Sequence, residues 1–218
     1  NVAIQKTTFK YEIPYMLLIT AVLLVMGMTG NEITFIEGVI LWILFIAYLL
    51  YLYFLAKKGN DSGDEQSVKL YPVWKCLLFI VLGGVCVVIG SQLVVNGATT
   101  IARACGMSER FIGLTIVAFG TSLPELVTSV SAARKGNAGI AIGNIVGSNI
   151  FNILFVIGTV ALICPVPFES RFVIDTVVAI LCGVLLWGGT IRHKELRKPC
   201  GVVMLLCYAA YFVYLAAM

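Results

Sequence analysis

Two stretches of this chain hold polar residues inside otherwise apolar runs. The first is Ala118-Phe119-Gly120-Thr121-Ser122-Leu123-Pro124-Glu125. The second is Gly143-Asn144-Ile145-Val146-Gly147-Ser148-Asn149-Ile150-Phe151-Asn152. In the first, Pro124 has no N–H and its ring clashes one turn back, so the Gly120 carbonyl loses its helical donor and the turn loosens. Ser122, Glu125 and Ser129 recur at i, i+3 and i+7, one face of a helix, and Thr121, Glu125 and Thr128 share an overlapping face. In the second, Asn144, Ser148 and Asn152 recur every four residues as one polar stripe. Gly143-xxx-Gly147 would let a neighbouring backbone approach closely. Every donor in both stretches is an oxygen: a carboxylate, hydroxyls, amide and backbone carbonyls. That set suits a hard cation. Calcium takes roughly 6–8 oxygen ligands in flexible geometry, and sodium accepts the same donors. Zinc or copper calls for imidazole or thiolate, and neither accompanies these residues.

The elements that position these groups follow from composition. Of 218 residues, 60% are hydrophobic and 12% charged, and mean hydropathy is +1.01. A soluble domain is about 25% charged; this balance excludes a soluble globular enzyme and a disordered chain alike. Seven apolar segments stand out, at about Ile13–Met28, Phe35–Leu55, Val73–Ala98, Phe111–Ala133, Ile140–Cys164, Phe172–Ile191 and Gly201–Ala217. Each is long enough to cross a bilayer. They must be helices, because lipid cannot satisfy open backbone groups. The fold class is therefore all-α, a polytopic transmembrane helical bundle. The two polar stretches fall in the fourth and fifth segments. An ionised Glu125 at that depth costs about 2.5–3.5 kcal/mol, so it faces protein or water and marks a functional site.

Charge placement gives an orientation. Alternating the loops puts Lys6, Lys10, Lys57, Lys58, Lys69, Lys75, Arg134, Lys135, Arg192, Lys194, Arg197 and Lys198 on one side, and Arg103, Arg110 and Arg171 on the other. The Lys/Arg-rich side is cytoplasmic. The expectation is a multi-pass protein of the cell inner (plasma) membrane, with the Asn1 side and linker 57–72 cytoplasmic and the Met218 side external. Tyr11, Tyr15, Tyr71 and Trp74 suit interfacial anchoring. Glu37 and Asp175 near outer span ends suit solvated roles, and Glu12 at a boundary is uninformative. Seven Cys, at irregular spacing and without a CxxC pair, suit small buried hydrophobes rather than disulfides or zinc ligands. His193 stands alone in a basic loop.

At these residues the sequence resembles a known family. Gly106–Gly158, with GTSLPE followed by GNIVGSNIFN, closely resembles the second alpha-repeat of the sodium/calcium exchangers, in the cation/calcium exchanger superfamily. Gly90–Gly106 resembles the helix before that repeat. The short charged linker looks bacterial. The resemblance implies a ten-helix, inverted-repeat fold with ions bound mid-membrane and alternating access. This chain would supply helices four to ten. Residues 1–56 would be two helices ending the first repeat, 57–72 a short cytoplasmic linker, and 73–218 the five-helix second repeat, with the alpha-repeat at 106–158. Glu125 would be this repeat's calcium-ligating carboxylate, assisted by the Thr121 carbonyl. Ser122, Ser148 and the Ala118 carbonyl would serve flanking sodium sites. Asn152 stands where several relatives carry Asp, a departure that bears on sodium stoichiometry, potassium dependence and ion choice.

The first alpha-repeat has no copy here. One glutamate and a few hydroxyls are too few donors for a tight calcium site. Together with a first residue, Asn1, that is not Met, this predicts a fragment lacking the N-terminal repeat, or two chains that assemble one site. The expected function is calcium/sodium antiport. A calcium/proton antiporter, or a non-transporting membrane subunit with an incomplete site, are the alternatives. Expected partners are calcium, sodium, the lipid bilayer and the missing repeat, with no nucleic acid and no organic cofactor. No nucleophile–base arrangement or metal cluster suggests an enzyme.

Overall fold

A computed structural model describes residues 2–59, 72–107, 109–191 and 195–217. Most of the linker 57–72 lies outside the described residues, as do Asn1, Arg192, His193 and Lys194. The helices are α1 (Ile13–Gly30), α2 (Phe35–Gly59), α3 (Val73–Ala104), α4 (Glu109–Ile112), α5 (Ala118–Thr121), α6 (Leu123–Arg134), α7 (Ala138–Phe151), α8 (Gly158–Ile163), α9 (Ser170–Thr190) and α10 (Lys198–Ala217). Three π-helical turns adjoin them, at Thr8–Glu12, Gly113–Val117 and Asn152–Ile157.

Among the described residues six helical stretches are long and apolar enough to cross a membrane: Thr8–Gly30, Phe35–Lys58, Val73–Ala104, Gly139–Ile163, Ser170–Thr190 and Lys198–Leu215. A pair bent by 49°, Thr115–Thr121 and Leu123–Arg134, makes a seventh span when read as one. The chain is an all-α membrane protein, and each of the seven apolar segments has its counterpart. α3 has 32 residues, about 48 Å at 1.5 Å per residue. That exceeds the roughly 30 Å hydrocarbon layer, so α3 crosses obliquely or projects beyond it.

Two small antiparallel ladders are additions that composition did not foretell. β1 (Val2–Ala3) pairs with β4 (Glu195–Leu196), and β2 (Glu32–Ile33) with β3 (Val166–Pro167). β2 follows the left-handed Asn31 (φ 56°) that ends α1. Next to it Thr34 and Glu37 form a reciprocal cap on α2. The Thr34 backbone N–H donates to the Glu37 carboxylate at 2.7 Å, and the Glu37 N–H reaches the Thr34 hydroxyl at 3.5 Å. Glu37 thus closes the first turn of a helix, satisfying donors left over there.

The chain divides into two compact units. The first contains α1, α2 and the chain from Ser131 to Cys207. Its core joins Ile13, Ile19, Ile33, Leu41, Val146, Ile150 and Leu154. Lipid is as apolar as these side chains, so contact is governed by packing and small residues rather than by water exclusion. Gly38 is one such point: a Cβ there would lie 2.9 Å from that of Ala161. The Trp42 indole N–H also donates to the Thr159 hydroxyl at 3.2 Å, joining α2 to α8. On α9, a Cβ at Gly183 would lie 2.6 Å from Leu17 of α1.

The second unit contains α3, α4, α5 and the start of α6. Here α3 packs along the turn Gly113–Val117 and α5. Gly106 (φ 77°), two residues past the end of α3, closes the helix, with Gly106 N–H donating to the Arg103 carbonyl and Met107 N–H to the Ala102 carbonyl, each at 3.0 Å. That paired closure needs a left-handed residue, which glycine supplies without strain. Gly136 (φ 81°) closes α6 the same way. Across the α3 terminus, the Arg103 guanidinium grips Glu109 through two bonds of 2.6 and 2.8 Å.

Candidate functional site

Ala118, Thr121, Ser122 and Glu125 lie on the bent segment. α5 ends at Thr121, and Ser122 (φ −91°, ψ 1°) leaves helical geometry before α6 begins at Leu123. The break falls two residues before Pro124, where a missing N–H and a ring clash are expected to act. The Ser122 N–H turns back to the Phe119 carbonyl at 3.1 Å, and the Leu126 N–H starts the new helix on the Ser122 carbonyl at 3.0 Å. The row Ser122, Glu125 and Ser129 therefore starts at the break and runs along α6, whereas the row Thr121, Glu125 and Thr128 crosses it. On α6 itself Glu125, Thr128 and Ser129 still follow helical spacing. Glu125 is half-buried, Ser129 is buried, and Thr128 is exposed with its hydroxyl donating to the Pro124 carbonyl at 2.8 Å.

Backbone oxygens near the break are partly engaged. The Thr121 hydroxyl donates to the Ala118 carbonyl at 3.0 Å. A carbonyl has two lone pairs, so the Ala118 oxygen keeps acceptor capacity. Gly120 is buried against α3: a Cβ there would overlap a methyl of Val95. A residue without a side chain is required for this approach. The π-helical turn Gly113–Val117 leads directly into α5, and such turns occur frequently at functional sites.

Ser148 and Asn152 lie in the first unit. Asn144 and Ser148 are half-buried on α7, and Asn152 is exposed where α7 passes into the π turn Asn152–Ile157. The Ser148 hydroxyl donates to the Ile145 carbonyl at 3.1 Å, and the Asn149 amide to the same carbonyl at 2.9 Å. The polar stripe of Asn144 and Ser148 keeps its four-residue spacing through α7. Gly143 and Gly147 leave open the space that a close backbone approach would use: a Cβ at either glycine would find nothing within 4 Å among the described residues.

The six expected ligands thus fall in two groups, four around the helix break and two on consecutive turns of another helix. Among the described residues no three His, Cys, Asp or Glu side chains gather in one place. Sequence reasoning missed the two π turns next to these residues, Gly113–Val117 and Asn152–Ile157, which depend on tertiary packing and carry no residue signature. Ser129, which its spacing places on the Glu125 face, is buried.

The sodium/calcium exchanger protein family matches residues 75–217 of this chain. CaxA of Alkalimonas amylolytica is 34% identical over 220 residues, covering 96% of this chain and 69% of that protein. The sodium/calcium exchanger MaX1 of Methanosarcina acetivorans is 38% identical over 142 residues, covering 65% of this chain and 41% of that protein. A solved sodium/calcium exchanger from Methanococcus jannaschii superposes with a TM-score of 0.77 at 31% identity, covering 97% of this chain and 66% of that one. This chain therefore spans about two fifths to two thirds of the length of these proteins. Family match, sequence identity and fold likeness agree: the chain belongs to the sodium/calcium exchanger protein family.

Proposed function

We propose that this chain contributes to a membrane antiporter that exchanges calcium for sodium by alternating access, with Glu125 as the central cation ligand. The observation that carries this reading is the broken membrane segment, which puts a half-buried carboxylate three residues past a helix break with hydroxyls and carbonyls beside it. An ionised carboxylate at membrane depth costs about 2.5–3.5 kcal/mol, and a bound cation offsets that cost. Broken helices facing a mid-membrane site are a recurring device of secondary transporters.

In this reading the Thr121 carbonyl assists Glu125 in holding calcium. Ser122, Ser148 and the Ala118 carbonyl serve flanking sodium sites, and Asn152 contributes a neutral amide. Calcium needs roughly 6–8 oxygens, so further donors come from an inverted partner repeat, N-terminal in the same protein or on a second chain. The open face at Gly143 and Gly147 leaves room for such a backbone to approach. The Lys/Arg bias supports a plasma-membrane orientation with linker 57–72 cytoplasmic and Met218 external.

The test is calcium uptake by sodium-loaded vesicles carrying the chain with its partner repeat. An outward sodium gradient drives uptake, and Glu125→Gln abolishes it while the helical spectrum is unchanged. Uptake driven by a pH gradient without sodium would replace sodium coupling by proton coupling. No uptake under either gradient would leave a non-transporting subunit.

A further inference from the structure

A second polar feature lies within the first unit, among residues with no part in the proposed ion site. A cavity of about 280 Å³ is bounded by Tyr11, Glu12, Tyr15, Tyr48 and Tyr51, with Leu44 and Ala47 at its wall. Glu12, at the end of the first π turn, is only 9% exposed. No Lys or Arg among the described residues lies within ion-pairing distance of it; the recorded ion pair is Arg103–Glu109. Lys10 sits instead over the Tyr11 ring, 5.3 Å from its centroid. A nearly buried anion without a counter-charge is costly.

The tyrosines around it are ordered as a wall. Tyr15 and Tyr48 stack at 5.5 Å between centroids, Tyr48 and Tyr51 at 6.3 Å, and Tyr11 leans on Tyr51 at 6.1 Å. The Tyr15 hydroxyl donates to the Leu44 carbonyl at 2.9 Å, which fixes that ring. The Tyr51 hydroxyl is buried and has no hydrogen-bond partner. Aromatic faces attract cations through the ring quadrupole and suit weakly hydrated ammonium groups. A small metal ion would want more oxygens than one carboxylate and one hydroxyl supply.

We infer that this cavity binds an organic ammonium group, its charge held by the Glu12 carboxylate and its body by the tyrosine faces. The group is borne by an aminophospholipid headgroup or by a free amine. The Tyr51 hydroxyl accepts an N–H from ligands that carry one.

The experiment titrates the purified full chain with tetramethylammonium and with methylammonium chloride, against sodium chloride at equal ionic strength, reading tyrosine fluorescence. Saturable changes are expected with both ammonium salts and none with sodium. Glu12→Gln weakens both by about tenfold or more, the effect of removing a buried charge partner. Tyr48→Leu weakens both through loss of a ring. Tyr51→Phe weakens methylammonium alone, because tetramethylammonium has no N–H to donate. If Glu12→Gln does not fold, the Tyr48 and Tyr51 variants carry the test by this selectivity. Repeating the titration in nanodiscs assigns the source: weaker apparent affinity with phosphatidylethanolamine than with phosphatidylglycerol identifies a lipid headgroup, and equal affinity a free amine. The proposal is overturned if ammonium and sodium salts act alike, or if a folded Glu12→Gln binds as the wild type does.

Discussion

Gly120→Ala probes the contact that holds the helix break against α3. The new Cβ overlaps the Cγ2 methyl of Val95. Val95 is β-branched and half-buried within α3, and such residues keep one strongly preferred rotamer in a helix. Its methyl cannot swing aside without an off-rotamer cost of about 0.5–1.5 kcal/mol. Overpacking of this kind costs about 1–3 kcal/mol in total. Replacing a helical glycine by alanine returns up to about 1 kcal/mol of propensity. The net expectation is a loss of about 1–2 kcal/mol, read by equilibrium unfolding of the purified chain in mixed detergent micelles. Val95→Ala removes the offending methyls. In that background Gly120→Ala becomes neutral or stabilising, and the coupling between the two sites is about 1–3 kcal/mol. Equal stability of Gly120→Ala and wild type would refute the packing argument. So would the same loss in both backgrounds, because the damage would then not pass through Val95.

Other consequences can be measured on the same protein. Glu37→Ala opens the reciprocal cap of α2 and lowers stability by about 0.5–2 kcal/mol in the same unfolding assay, since the Thr34 N–H loses its acceptor. The Arg103 hydrogen bonds hold the Glu109 carboxyl below the usual carboxylate range. A depressed value means the stabilisation is present above the unfolded value of about 4.3 and disappears as pH falls through the folded one. The stability difference between wild type and Glu109→Gln is therefore flat from neutral pH to that range and vanishes below it. It is small, because both partners are exposed. Asn152→Asp adds a charge to the proposed ion site and lowers the calcium concentration for half-maximal uptake; an unchanged value would remove Asn152 from the site.

Much of this architecture is written in hydropathy. The seven spans follow from runs of Leu, Ile, Val, Phe and Ala, because lipid leaves the backbone no other satisfied form. The break before α6 is legible in Pro124, whose ring and missing N–H act locally whatever surrounds them. Features that depend on neighbours are not legible in that way. Glu12 reads as an ordinary boundary residue until α2 lays Tyr48 and Tyr51 beside it. Gly143 and Gly147 carry a packing pattern, yet a Cβ at either would meet nothing within 4 Å among the described residues, since a pattern of small residues offers a surface without naming its partner. The short ladders of β1 with β4 and β2 with β3 join segments remote in sequence and have no periodicity of their own.

The π turn at Asn152–Ile157 has a geometrical consequence for the helix that carries it. Residues spaced by four overshoot an α-helical turn by about 40° at each step, so a four-residue row winds off the face on which it began. A π turn takes more residues per revolution and undershoots over the same spacing. Val146, Ile150, Leu154 and Gly158 are all buried, although a row of that length on an unbroken α-helix would have wound about a third of the way round. The wide turn resets the phase midway, so one apolar row stays on the core over three turns. Removing a single residue from Asn152–Ile157 would restore α-helical winding and rotate Asn144 and Ser148 away from the direction they now hold relative to Ala161.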